Sequence, residues 1–306
     1  SMKRLVGLGA CVYDTLITCA EYPAEDTKKK SERVFHSGGG PVGNALVIAS
    51  KLGLDCSVVG AFADDAAGRF LLDDFKKYGV NTDDAKKISG ATTFTSYIIL
   101  SEKNKTRTCV FDRGTIKDEP AFIDEPAIKS ADILHLDGNY LNCAIKAAKI
   151  AKEHHVKVCL DAGGIYEGIE RLLPFVDILI PSAEFAKGFT RKKDVKEAMK
   201  TLYEKFSPEI LVVTDGSNGG YYYDNGSIAK YDSVPVNALD TNGAGDTFHG
   251  AFLAAYAKGN GVFHCCLFAS KVAAYKCEHI GVREFDLSEK IIDKRFGNGG
   301  KPPRSL

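Results

Sequence analysis

The strongest constraint on the fold is an alternation running from about 131 to 214. Short apolar runs at 132–136, 157–161, 177–180 and 210–214 are separated by stretches at 143–154, 166–172 and 192–205 whose apolar residues recur at helical spacing. Repeated strand-helix pairs imply a parallel sheet covered on both faces, with its ligand at the carboxyl ends of the strands. Asp14, Asp137, Asp161 and Thr214 fall at such ends.

The N-terminal part breaks the rhythm twice. A strand at 3–10 ends in Gly7-Leu8-Gly9, but no third glycine and no helix follow, so a dinucleotide-binding turn is excluded. Segments 16–21 and 33–37 instead bracket a polar tip, and segments 92–100 and 107–112 alternate around a second polar turn. Two such hairpins suggest one shared sheet outside the main fold. Between them lie a helix at 45–52, a strand at 56–61 and a helix at 69–78 closed by Gly79; helices at 262–276 and 288–295 follow late in the chain. The expected organisation is one domain over 1–296, with the β insertions at about 15–36 and 92–112, and a mobile tail over 297–306.

Three glycine-rich turns carry the candidate chemistry. In Asp240-Thr-Asn-Gly-Ala-Gly-Asp246, Gly243, Ala244 and Gly245 crowd N–H groups together at the start of an apolar helix, where unpaired donors and the macrodipole attract an anion. Asp246 would face that anion as a general base, taking a proton from a hydroxyl that attacks phosphorus. An ordinary glycine-punctuated helix start would look the same in isolation. Gly38-Gly-Gly-Pro-Val-Gly-Asn44 allows close backbone approach to a ligand, with Asn44 able to donate and accept as sugar hydroxyls require; a plain turn with an asparagine cap fits it equally. Gly216-Ser217-Asn218-Gly219-Gly220 could cradle a nucleotide phosphate or simply turn a hairpin.

Composition narrows the partners. Lysine plus arginine and aspartate plus glutamate each number 40, which gives no electrostatic case for nucleic acid or an anionic membrane. A small solute is expected instead. The nine cysteines are scattered without a C-x-x-C pair, as in reduced core thiols of a cytoplasmic protein, and no apolar run is long enough to span a bilayer.

Together the two outer glycine signatures, roughly 200 residues apart, and the two hairpins resemble the ribokinase-like, or PfkB, carbohydrate kinases. The resemblance covers essentially the whole chain. It implies a three-layer α/β/α sandwich with a mostly parallel central sheet and a small β-sheet lid, ATP held by the C-terminal half, and a primary hydroxyl of a small sugar at the anion hole. No G-x-x-x-x-G-K-[ST] motif is present, so a P-loop does not hold the phosphates. By position, the resemblance makes Asp246 the catalytic base and Gly243, Ala244 and Gly245 the anion hole. It assigns Asp14, Gly39, Gly40, Asn44 and Arg107 to the sugar, and Thr214, Gly216, Ser217, Gly219, Cys277 and Gly281 to the nucleotide. Asp240 and the Asn242 carbonyl match a monovalent-cation site, potassium being the expected ion. A homodimer through the lid is expected because the lid hairpins present unpaired strand edges.

Two departures bear on function. The family carries Asn-x-x-Glu near the phosphates and magnesium; here Ser182 takes the Asn place and Phe185 the Glu place, with Glu184 one residue early and expected to make the magnesium-water contact from a shifted register. Segments 21–26 and 107–113 look like the ketohexokinase and fructokinase-type branch, yet Pro41 stands where ketohexokinases have a substrate-binding asparagine. Arg107 and Arg113 also allow an acidic sugar. Alternatives are a nucleoside kinase, with Val34, Phe35 and Phe94 as clamp candidates, and a catalytically silent sugar-binding or sensor protein on the same fold.

Overall fold

The structure, a computed structural model, describes residues 3–164 and 167–297. The chain opens with β1 (Arg4–Leu8), β2 (Val12–Cys19) and β3 (Arg33–Gly39), then α1 (Pro41–Lys51), β4 (Asp55–Val58), β5 (Gly60–Ala63) and α2 (Ala66–Lys77). It continues through β6 (Ala85–Ile88), β7 (Thr95–Ser101), β8 (Thr106–Asp112), α3 (Glu125–Lys129), β9 (Ile133–Leu136), α4 (Leu141–Glu153), β10 (Lys157–Ala162) and β11 (Ile178–Pro181). There follow α5 (Ala183–Thr190), α6 (Val195–Phe206), β12 (Ile210–Thr214), β13 (Gly220–Asp224), β14 (Ser227–Tyr231), α7 (Ala244–Ala257), α8 (Val262–Cys277) and α9 (Glu289–Phe296).

Eight strands form the central sheet in the order β14-β13-β12-β11-β10-β9-β1-β4. The pairings from β4 to β12 are parallel, and β13 and β14 add an antiparallel edge. Leu5 and Val6, neighbours in β1, are both fully buried but belong to opposite cores, as expected of a strand covered on both faces. One core joins β1 to α1, α7 and α8; the other packs α3, α4, α5 and α6 on the far face. This is the expected three-layer arrangement.

The two hairpins share a separate four-stranded sheet, β3-β2-β7-β8. Its centre is a parallel pair, with Asp14 of β2 in register with Ser96 of β7. Because successive side chains point to opposite faces, Asp14, Ser96, Ile98, Cys109 and Phe111 look toward the central sheet, while Tyr97 and its cross-strand partner Val110 look away, 51% and 68% exposed.

Several boundaries differ from expectation. The helix expected at 45–52 starts at Pro41, since a proline at the first helical position has its φ preset and no N–H to leave unpaired. The strand expected at 56–61 divides at Val59-Gly60: β4 stays in the central sheet and β5 pairs with β6. Of the helix expected at 166–172, Tyr166 lies outside the described residues and the remainder holds one short 3-10 turn, Ile169–Arg171; a second, Leu173–Phe175, follows it with Pro174 in its first turn. α3, α5, β6 and β14 were not expected. The expected mobile tail lies, beyond Gly297, outside the described residues.

Candidate active site

The first turn of α7 lies where the two sheets meet. Gly243, left-handed at φ 75°, is the N-cap and offers no side-chain acceptor, and Thr247 N–H is the first to bond back to it, at 2.9 Å. The N–H groups of Gly245 and Asp246 therefore have no acceptor among the described residues. The positive end of the helix dipole lies behind them, a setting that favours an anion.

Cavities open on both sides of this turn. One, of about 410 Å³, is lined by Asp14, Asn44, Ser96 and Arg107 with Phe94 and Phe111, and reaches Gly243 to Asp246. The other, of about 360 Å³, is lined by Asp161, Gly163, Ser182 and Thr214 with His249, and also reaches Gly245 and Asp246. Asp246 thus stands between them.

Asp246 is held from α1 and the chain after α8. Asn44 Nδ2 donates to its carboxylate at 2.8 Å, and Asn44 Oδ1 accepts from Arg283 Nε at 2.9 Å. Arg283 is 1% exposed; it pairs with Asp74 at 2.6 Å, donates weakly to Gly39 O at 3.4 Å and stacks over Phe75. The N-terminal glycine run serves this arginine. A Cβ on Gly38 or Gly43 would lie 2.3 Å or 2.8 Å from its guanidinium nitrogens, and one on Gly39 would lie 2.0 Å from Asp14. Those glycines make room for protein side chains, and Arg283, which reaches Asn44 through them, was given no role from the sequence.

Burial pushes the Asp246 carboxyl up to about 6, helped by the neighbouring Asp161 and opposed by the Asn44 hydrogen bond. Burial likewise raises Asp14, against the Ser96 hydroxyl that donates to it and the Arg283 and Arg107 charges.

His249, one turn along α7, was given no role from the sequence. Its Nδ1 lies 2.7 Å from Gly245 O and its Nε2 2.9 Å from Ile180 O. Carbonyl oxygens only accept, so satisfying both requires both ring nitrogens protonated. Burial alone would lower its pKa, but Asp161, 3.6 Å away, and the two carbonyls outweigh it and hold it above the ordinary value. A buried imidazolium therefore lies beneath the first turn of α7. His135, 5.9 Å away between ring centroids, is pushed down to about 3 by burial and then by the His249 charge, and stays neutral.

The other expected residues separate into groups. Asp137 is committed to structure, accepting from Ala10 N, Asn139 N and Nδ2, and Val42 N. Thr214 lines the second cavity, while Gly216 and Ser217 sit exposed in the adjoining turn and Gly219 is buried behind it. Gly40 lines the first cavity, and Gly39 lies behind Asp14. Cys277 and Gly281 line neither cavity: Cys277 O accepts from Leu239 N and Asp240 N, and Gly281 N donates to Asp240. Glu184 is exposed on the first turn of α5 and lines neither cavity, whereas Ser182 caps α5 and faces the second. Among the described residues no three His, Cys, Asp or Glu side chains cluster as a metal site, and no helix is long and apolar enough to cross a membrane.

Residues 2–290 match the family model described as pfkB family carbohydrate kinase. The chain belongs to that family. The kinase is 25% identical to mouse ketohexokinase (Mus musculus) over 93% of this chain and 98% of the relative, and 26% identical to a nucleoside kinase of Methanothermobacter thermautotrophicus over 98% of each. Its fold superposes on that of Arabidopsis thaliana ribokinase, solved with ribose and ATP, at a TM-score of 0.85 with 22% identity over 96% of this chain and 98% of that one. It is a phosphotransferase with a hydroxyl group as acceptor, a sugar kinase of ribokinase-like fold.

Proposed function

We propose that this kinase transfers the γ-phosphoryl group of ATP to a primary hydroxyl of a small sugar, with Asp246 as general base. The observation that carries the reading is the position of Asp246: a half-buried carboxylate beside two free N–H donors, bordering both cavities. The first cavity suits the sugar. Asp14 and Asn44 offer acceptors and a donor for hydroxyls, and Arg107, exposed and free of hydrogen bonds and ion pairs among the described residues, is available to a polar substituent. The second suits the phosphate chain, with Thr214, Gly163 and the α7 N-terminus around it. The four-stranded sheet then acts as a lid over the sugar.

As the base, Asp246 accepts the hydroxyl proton as the oxygen attacks the γ-phosphorus and the bond from that phosphorus to the β–γ bridging oxygen breaks, releasing ADP; the Gly245 and Asp246 N–H groups stabilise charge building on the transferred group, and the His249 imidazolium adds a fixed positive charge from below. Magnesium fits the second cavity through Asp161, whose carboxylate has His249 as its one close polar neighbour among the described residues; one or two carboxylates plus phosphates and water suffice for this ion. Bound there, it would neutralise phosphate charge. The outward lid face, with Val34, Tyr97 and Val110 all more than half exposed, supports a homodimer formed face to face rather than by the strand edges.

A nucleoside acceptor is the second reading, because Phe94 and Phe111 form a tilted aromatic pair at the first cavity with Arg113 over both rings. Of the other clamp candidates, Val34 faces outward and Phe35 lines a different cleft. ADP release measured over hexoses, pentoses, sugar acids and nucleosides separates the readings. Turnover of a sugar or sugar acid is expected; turnover confined to nucleosides would select the second reading, and none with any acceptor would leave a silent sugar-binding protein.

A further inference from the structure

We propose that the buried ammonium of Lys276 is a tethered cation for the loop leading into α7, taking the place of the exchangeable monovalent ion expected at Asp240 and Asn242. The Lys276 side chain is 0% exposed, and its Nζ donates to Asp240 O at 2.6 Å and His279 O at 3.4 Å, with Asp240 Oδ2 at 3.7 Å. Two carbonyls and a carboxylate form the oxygen shell a hard cation takes, here filled by a covalently held one. The surrounding bonds leave Asp240 little freedom: its Oδ1 accepts from Asn242 N at 2.9 Å and its Oδ2 from Gly281 N at 2.9 Å, while Leu239 N and Asp240 N both donate to Cys277 O. A potassium ion on Asp240 would set a second positive charge within a few ångströms of the ammonium at a half-buried carboxylate whose two oxygens already accept N–H bonds, where like charges repel more than in bulk water. The residues present therefore do not fit an exchangeable ion.

The two segments gathered by Lys276 both run into the site. Residues 240–242 lead directly to Gly243, and residues 279–281 lead to Val282, packed against Gly243, and to Arg283, the partner of Asn44. Lys276 is thus a positioning residue: it touches neither cavity but fixes the approach of the anion site and of the arginine that orients Asn44.

Melting and steady-state rates in potassium, sodium, ethylammonium and tetramethylammonium chlorides at equal ionic strength test this. The wild-type protein should melt at the same temperature in all four and turn over at the same rate. Lys276→Ala should melt lower and lose about tenfold in kcat in tetramethylammonium, with both partly restored by potassium or ethylammonium, which can enter the emptied shell; Lys276→Arg should keep most of the cation independence. Three results would overturn the proposal: wild-type melting or rate that rises with potassium, a Lys276→Ala protein equal to wild type in tetramethylammonium, or one whose losses no cation recovers. The rate arm rests on the sugar-kinase reading; the melting arm does not, so failure of that reading and failure of this one are distinguishable.

Discussion

Asn44 Nδ2 donates to the Asp246 carboxylate at 2.8 Å across 202 positions of sequence. The bond holds one carboxylate oxygen from the α1 side and leaves the other for chemistry. It also opposes burial, favouring the ionised form that a base requires.

Asp246→Asn should lower kcat by about 10²- to 10⁴-fold while acceptor and ATP binding largely survive. In the wild type, kcat/KM should rise with pH through about 6 and then level, since the base must be deprotonated. Stability should run the other way. The folded state binds the Asp246 proton more tightly than the unfolded chain, so this carboxyl's contribution declines from the ordinary carboxylate range up to about pH 6 and stays low above it. The asparagine variant should therefore be more stable than wild type at pH 8, by on the order of 1–3 kcal/mol, and not at pH 4. Retention of more than a tenth of the wild-type rate would remove Asp246 from the base role.

His249→Gln removes a positive charge that holds the Asp246 pKa down. The acid limb of the kcat/KM profile should move to higher pH, with kcat reduced on the plateau. An unmoved limb, or one displaced to lower pH, would show that His249 is not charged in the active protein.

Arg283→Met should cost about 3–5 kcal/mol in urea unfolding, because Asp74 would be left without its buried partner. Adding Asp74→Asn should recover part of that loss. A single-variant cost below about 1 kcal/mol would mean that solvent reaches Asp74 freely.

Arg107→Ala should raise the KM for the sugar, or lower kcat/KM, by roughly 10- to 150-fold while barely altering the KM for ATP. An acidic sugar, paired bidentately with a guanidinium, should fall at the upper end and a neutral ketose near the lower. A change below about twofold for every accepted sugar would place Arg107 outside the substrate contact.

Val110→Lys puts a charge on the outward face of the lid, opposite Tyr97. If that face pairs two copies, light scattering should report a dimer for wild type and a monomer for the variant. A wild-type monomer at working concentration would end the dimer reading.

The main sheet was legible because its strands are continuous apolar runs and its helices carry their own period, so local pattern and buried position agree. The early start of α1 at Pro41 also carried a signal, proline being favoured at the first helical turn, but the glycine run around it was weighed as a ligand loop. Arg283 and Lys276 were not legible. Charged residues are expected at the surface, and nothing in their immediate neighbourhood reveals that Asp74, Asn44 and Asp240 will surround them in the fold. The glycines at 38, 39 and 43 were the available clue, since a wall without side chains implies something bulky against it. α5 was missed because its eight residues follow a strand after a single capping serine, leaving little room for a period to show.

The Arg283 linkage also sets an order of events during synthesis. A chain emerging N-terminus first can pair β1 with β4 and build α1 and α2 early, but Asp74 then waits for an arginine 209 positions away, and Asn44 for one 239 positions away. Until Arg283 arrives, the pocket around Gly38 and Gly43 lacks the side chain that fills it, and contacts of such long sequence separation are the slow ones to form. Asn44 and Asp246 thus stay without the arginine that orients Asn44 until Arg283 itself has left the ribosome, and phosphoryl-transfer competence would come only after that.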